Sequence, residues 1–156
     1  MIAELATPMD SPRLTQLAAS VGAPVDFDAE FGRPWAEVWL ARADPDGGAV
    51  AFLVTWRVAD EIHVIDIASD PRFRRRGAAR ALLVAAIGCA RAGRARLLVL
   101  EVRASNHPAI ALYRSEGFEV ARVRRDYYTD PCEDALEMLL VLPGHSTVTS
   151  RSDSSY

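Results

Sequence analysis

The stretch Ser69-Asp70-Pro71-Arg72-Phe73-Arg74-Arg75-Arg76-Gly77-Ala78-Ala79-Arg80 decides the fold. Before it, Glu61 to Ser69 reads as a strand. After it, Arg76 to Gly93 reads as a long helix, with Ala79, Leu82, Leu83, Ala86 and Ile87 on one face. The stretch therefore carries the chain from a strand into a helix. A helix start exposes unpaired N–H groups and about half a positive charge. Anions bind there. Gly77 lets the backbone approach a phosphate closely, and Ala79 is small where the helix presses on the sheet. The arginines add fork-shaped contacts for phosphate oxygens. The lysine and glycine spacing of a Walker loop is absent, and so is G-x-G-x-x-G. A solvated basic helix start is the plain alternative.

Upstream, Asp44-Pro45-Asp46-Gly47-Gly48 is a turn signal. Ala49 to Val58 and Glu61 to Ser69 read as an antiparallel hairpin closed by Ala59-Asp60. Further back, Ile2 to Ala6 suits a short strand. Asp10 or Ser11 caps a helix that has Pro12 in its first turn and runs to Ser20. Asp26 to Arg33 reads as irregular. Pro34 to Arg42 reads as a second short helix, with Trp35, Val38 and Trp39 at helical spacing.

Downstream, Gly93 stops the long helix. Arg96 to Val102 is nearly all apolar and suits a strand buried on both faces. Asn106 to Glu116 reads as a helix with Gly117 past its end. Glu119 to Tyr128 and Ala135 to Leu142 are the last strands, joined by a turn over Thr129 to Asp134. The order is β-α-α-β-β-loop-α-β-α-β-β, an α/β chain with a mixed sheet of six or seven strands and helices on both faces. One domain over residues 1–143 is expected, followed by a Ser/Thr-rich tail over 144–156 that is expected to be disordered.

The chain has 156 residues, enough to bury a core without staples. No apolar run approaches the roughly 20 residues that span a bilayer. No signal peptide is read at the N-terminus, so a cytoplasmic setting without membrane association is expected. The net charge of −3 argues against general nucleic-acid binding. All 18 cationic side chains are arginine, and there is no lysine. Cys89 and Cys132 match no metal spacing, and Cys89 reads as a small core residue. Three scattered histidines make no metal site. His63, beside Asp66, reads as structural.

The second informative stretch is Leu100-Glu101-Val102-Arg103-Ala104-Ser105-Asn106-His107-Pro108-Ala109-Ile110-Ala111-Leu112-Tyr113-Arg114-Ser115-Glu116-Gly117-Phe118. Glu101 falls at the C-terminal end of a buried strand, the edge where α/β sheets hold ligands. Asn106 starts a helix and Tyr113 follows two turns on, so Glu101 and Tyr113 can converge on one crevice. Taken singly, each has another reading: Glu101 as a salt-bridged carboxylate, Tyr113 as core, Asn106 as a helix cap.

Arg74-Arg75-Arg76-Gly77-Ala78-Ala79 resembles the Arg/Gln-x-x-Gly-x-Gly/Ala signature of the GNAT N-acetyltransferases. The Leu100 to Phe118 stretch, Pro34-Trp35, Arg124-Arg125-Asp126-Tyr127-Tyr128 and Glu133-Asp134-Ala135 resemble its ribosomal-protein-alanine N-acetyltransferase subgroup. Arg33, Ala78, Ala79 and His107-Pro108 are small departures. The resemblance covers about Ile2 to Leu142.

The resemblance implies the GNAT acyl-CoA fold and acetyl-CoA as cosubstrate. The pyrophosphate would be held at Arg74, Arg75, Arg76, Gly77, Ala78, Ala79 and Arg80. The pantetheine arm would pair with Ile67, Ala68 and Ser69, and Asn106 would contact the coenzyme. Glu101 matches the general base and Tyr113 the acid that protonates the CoA sulfur. The implied partner is a protein or peptide N-terminus, such as a ribosomal protein's. An α-amine of pKa about 8 is far easier to neutralise than a lysine of about 10.4. Trp35, Tyr127 and Tyr128 are candidate walls for a peptide groove, with core or sheet-face aromatics as the open alternative. Asp126, Glu133 and Asp134 read first as a solvated turn and second as a group that attracts a basic peptide. The open alternatives are a small-molecule amine or protein lysine as acceptor, or a coenzyme-binding module without catalysis.

Overall fold

The computed structural model of the chain describes residues 1–144, so the expected tail lies outside the described residues apart from Gly144. Seven strands form one sheet in the order β1-β2-β3-β4-β5-β7-β6. They are β1 (Ile2–Leu5), β2 (Ala36–Arg42), β3 (Ala49–Val58), β4 (Glu61–Ser69), β5 (Leu97–Arg103), β6 (Glu119–Thr129) and β7 (Cys132–Val141). The helices are α1 (Ser11–Ser20), α2 (Phe27–Phe31), α3 (Ala78–Ala92) and α4 (His107–Ser115). Every strand pairing is antiparallel except β4 with β5.

The expected alternation of elements holds, with two corrections. The segment read as a helix from Pro34 to Arg42 is mostly strand β2. Its Val38 and Leu40 pack under α1 and α2 with Leu14, Leu17 and Phe27. Trp39 and Ala41 pack on the other face under α3 with Leu82 and Ala86. A strand buried on both faces loses the polar alternation that marks strands, so the aromatic spacing imitated a helix. The segment read as irregular, Asp26 to Arg33, contains α2. Asp26 caps it by accepting a hydrogen bond from the Ala29 N–H at 3.0 Å.

The core follows from the strand period of two. Along β3, Phe52 and Val54 face α1 and α2, while Ala51 and Leu53 face α3. A third cluster joins α3, α4 and the β5–β7 half through Leu83, Ile87, Leu98, Leu100, Phe118 and Met138. Leu82 and Leu83 are fully buried, each worth roughly 1.5–3 kcal/mol relative to exposure. Cys89, expected in the core, is exposed. Its thiol lies 3.8 Å from Glu37, and burial of part of the group together with that carboxylate pushes its pKa up.

Candidate active site

The two parallel strands part company early. β4 pairs with β5 only through Glu61, Ile62 and His63, opposite Leu97, Leu98 and Val99. From Val64 to Ser69, β4 keeps β3 on one side and, among the described residues, has no strand on the other. A bulge at Ile65 breaks the β3–β4 register where the strands diverge. The parting opens a crevice of about 1230 Å³ that reaches from Val64 to Tyr128. The Asp70 N–H donates to the Val50 carbonyl at 2.8 Å, so the alternation of the antiparallel ladder turns the backbone groups of Ala68 toward β3 and those of Ile67 and Ser69 to the free side, where they are available to an extended ligand.

At one end of this crevice lies the turn into α3. Asp70 accepts hydrogen bonds from the Arg72 N–H at 2.9 Å and the Arg72 guanidinium at 2.7 Å. Those contacts hold the Asp70 carboxyl down at about 2. Arg75 and Gly77 both adopt positive φ, 62° and 80°. Glycine meets that requirement at Gly77 without strain. Among the described residues no side chain caps α3, and the Ala81 N–H bonds to the Gly77 carbonyl at 2.9 Å. The start of α3 is thus an uncapped cradle of donors, as an anion requires. Arg74, Arg75, Gly77, Ala78 and Ala79 all line the crevice. Arg80 lines it too, with its guanidinium tied to Glu116. Arg76 stacks over Phe73 at 5.4 Å and is absent from the lining.

Across the crevice, Asn106 seals the start of α4 by accepting from the Ala109 N–H at 3.3 Å, and it also lines the crevice. One face of α4 delivers Tyr113, whose ring packs 5.9 Å from Phe118. Burial, then the nearby charge of Asp66, pushes the Tyr113 hydroxyl up to about 12. It keeps its proton at any working pH and can donate to a developing anion. Glu101 lines the same crevice. Glu101 and Tyr113 thus both line this crevice.

These features can be set beside known proteins. Residues 5–118 match the acetyltransferase (GNAT) family. The chain belongs to that family. It is 42% identical over 119 residues to the [ribosomal protein bS18]-alanine N-acetyltransferase of Escherichia coli K12, across 69% of this chain and 80% of that one. The crystal structure of the ribosomal-protein-S18-alanine N-acetyltransferase from E. coli superposes with a TM-score of 0.80 and 33% identity, covering 93% of this chain and 97% of that one. Arabidopsis thaliana NAA60 in complex with acetyl-CoA shares the fold, with a TM-score of 0.77, 19% identity, and coverage of 92% and 99%. The chain is an N-acetyltransferase, and the uncapped α3 start and free β4 edge suit acetyl-CoA as its coenzyme.

β6 also borders the crevice of this GNAT enzyme. The Arg124 Nε lies 3.2 Å from Glu101 and its Nη2 lies 3.4 Å from Glu137. The Nε is buried and not aligned for a hydrogen bond, so its contact with Glu101 is coulombic. The Tyr127 hydroxyl is raised chiefly by its hydrogen bond to Glu101. Tyr128 lines the crevice, with Arg103 stacked over its ring at 4.2 Å. Of the candidate groove residues, Tyr128 is inside, Tyr127 reaches in through Glu101, and Trp35 is exposed outside the lining. Two residues of this region were not singled out from the sequence as functional: Arg124 and Asp66. The one available signal for Asp66 is an acidic residue in the middle of Val64-Ile65-Asp66-Ile67. Among the described residues no cluster could hold a metal, and no helix is long and apolar enough to cross a membrane.

Proposed function

We propose that the enzyme acetylates the α-amine of a protein N-terminus, an N-terminal alanine of a ribosomal protein being the leading candidate, by direct transfer within a ternary complex. The observation that carries this reading is that Glu101 and Tyr113 both line the crevice that the β4–β5 parting opens. Its support on the substrate side is the 42% identity to an enzyme named for that reaction. The cytoplasm is the proposed setting, and the reaction needs no metal.

In this reading, Arg74, Arg75 and the N–H groups from Gly77 to Arg80 hold the coenzyme's diphosphate. Arg76 acts from outside the lining through long-range attraction. Ile67 and Ser69 pair with the pantetheine arm through their outward backbone groups, Ala68 lies between them with its own turned to β3, and backbone donors there steady the oxyanion. Asn106 contacts the coenzyme from the far bank. The amine nitrogen attacks the thioester carbonyl, the C–S bond breaks, and Tyr113 gives its proton to the departing thiolate. Glu101 accepts a proton from the nitrogen, directly or through water. Tyr128, with Tyr127 and Trp35 nearer the surface, borders the peptide. The acidic groups at the β6–β7 turn are partly engaged already. Asp134 accepts from the Asp126 N–H at 2.9 Å, and Glu133 lies 3.6 Å from Arg103. They offer a basic peptide only modest attraction.

The test is release of free CoA from acetyl-CoA with peptides of varied N-terminus, Ala-Arg among them, beside lysine peptides and polyamines. Turnover confined to lysine or polyamine acceptors would overturn the α-amine assignment. In the same assay Tyr113→Phe is expected to lose about 100-fold or more in kcat while coenzyme affinity holds. Wild-type turnover in that variant would remove Tyr113 from the mechanism.

A further inference from the structure

Asp66 stands on β4 directly after the Ile65 bulge, paired across the ladder with Val54. Val54 belongs to the cluster beneath α1 and α2, so Asp66 is carried on that face of the sheet. On β5, Leu98, Leu100 and Val102 pack on the α3–α4 side. That alternation turns Glu101 to the face that Asp66 occupies. The two carboxylates thus stand on opposite banks of the parting, on one face, and both line the crevice with Tyr113.

Their surroundings differ. Glu101 has Arg124 at 3.2 Å and accepts from Tyr127. Among the described residues no ion pair involves Asp66, and its recorded hydrogen bond comes from the Ile67 backbone. His63, its neighbour in the strand, is occupied by Glu61 at 2.9 Å. A half-buried carboxylate without a cation is an unfavourable arrangement that an incoming cation would relieve. The group of that kind which belongs in this crevice is the acceptor's ammonium, with one positive charge and three donors.

We propose that Asp66 receives the acceptor's ammonium at the parting of β4 and β5 and takes its first proton, Glu101 taking the second. The inference rests on the N-acetyltransferase reading above. The first transfer converts R–NH3+ and the Asp66 carboxylate to R–NH2 and a carboxylic acid. The lone pair then forms the C–N bond to the thioester carbon. As the C–S bond breaks, Tyr113 protonates the thiolate and Glu101 takes the second proton from nitrogen. One of the two carboxyl protons returns to the Tyr113 oxygen and the other leaves to solvent. The sum is amide, CoA thiol and one released proton. Burial raises the Asp66 pKa and so brings it nearer that of the amine it must deprotonate. The titratable and charged groups that line the crevice with it are Glu101 and Arg103 from β5, Tyr113 from α4, Tyr128 from β6, and Arg74, Arg75 and Arg80 at the start of α3; of these, Tyr113 is the one whose proton its charge affects. From the segment after α1, only Val21 and Ala23 reach the crevice.

The experiment measures kcat/KM for Asp66→Asn, Asp66→Glu and wild type between pH 6 and 10. The acceptor is whichever amine wild type turns over from α-amine peptides, lysine peptides and polyamines. Acetyl-CoA binding and thermal unfolding are followed in parallel. At pH 7 Asp66→Asn is expected to lose roughly 100-fold. The deficit should shrink as rising pH supplies neutral amine from solution, with acetyl-CoA binding unchanged. Asp66→Glu, which restores a carboxylate, should recover part of the loss. An Asn variant as active as wild type at pH 7 overturns the proposal. So does a loss equal at every pH, or one that tracks weakened coenzyme binding. The choice of amine by wild type tests the substrate class separately, because the variant ratio is read on whichever amine is accepted. Wild type that turns over no amine overturns both.

Discussion

Two helices begin at the mouth of the same crevice and are finished in opposite ways. α4 begins behind Asn106, whose side chain supplies the acceptor that its first turn lacks. α3 begins behind Gly77, which has no side chain to offer and sits at φ 80°. Both follow a central strand, and both have residues in the crevice lining. A sealed start stabilises the fold, whereas an unsealed one reserves its donors for a ligand. A glycine in place of a cap is therefore informative about function when the flanking strand is also unpaired.

The largest effect that would sharpen this contrast is expected at Gly77. A valine there must hold a left-handed conformation, costing about 1–2 kcal/mol. Open space surrounds the position, so the cost is conformational and not a clash. Gly77→Val is expected to weaken acetyl-CoA binding by roughly 100-fold, about 2.8 kcal/mol, in titration calorimetry. Unaltered affinity in folded protein would break the contrast at once.

A smaller effect of the opposite kind is expected across the crevice. Asn106→Ala should lower stability in urea unfolding by about 1 kcal/mol and change coenzyme affinity much less than the Gly77 variant does. If the two variants lost equal affinity, the sealed start would be as much a ligand site as the open one.

The smallest effect concerns Asp70, which ties down Arg72 just before the open start. Its carboxyl is held at about 2 in the folded chain, against about 3.9 when unfolded. A depressed carboxylate stabilises fully above the unfolded value, and that contribution disappears as pH falls toward 2. Asp70→Asn should unfold more readily than wild type at pH 5, and the two should converge near pH 2 in acid titration followed by circular dichroism. Parallel curves over that interval would count against the pairing.

The turn from Ser69 to Arg80 and the stretch from Glu101 to Phe118 were legible because local chemistry fixes both. Glycine, caps and helical spacing need only near neighbours to act. β2 was not legible, because its two buried faces are created by α1 and α3, which arrive from elsewhere in the chain. Cys89 misled for the same reason, since apolar neighbours along a helix do not say which face meets the sheet. Asp66 acquires its interest only once the β4 bulge and the short β4–β5 pairing bring it to the parting.

That short pairing also affects the enzyme's durability. Three residue pairs tie the two halves of the sheet through β4 and β5, and beyond His63 the seam is open to solvent. A coenzyme whose arm docks along Ile67 to Ser69 bridges the seam as a stitch would. At a hundredfold excess over its dissociation constant it contributes about 2.7 kcal/mol against unfolding. Scarcity of acetyl donor would then leave the protein not merely idle but easier to unravel.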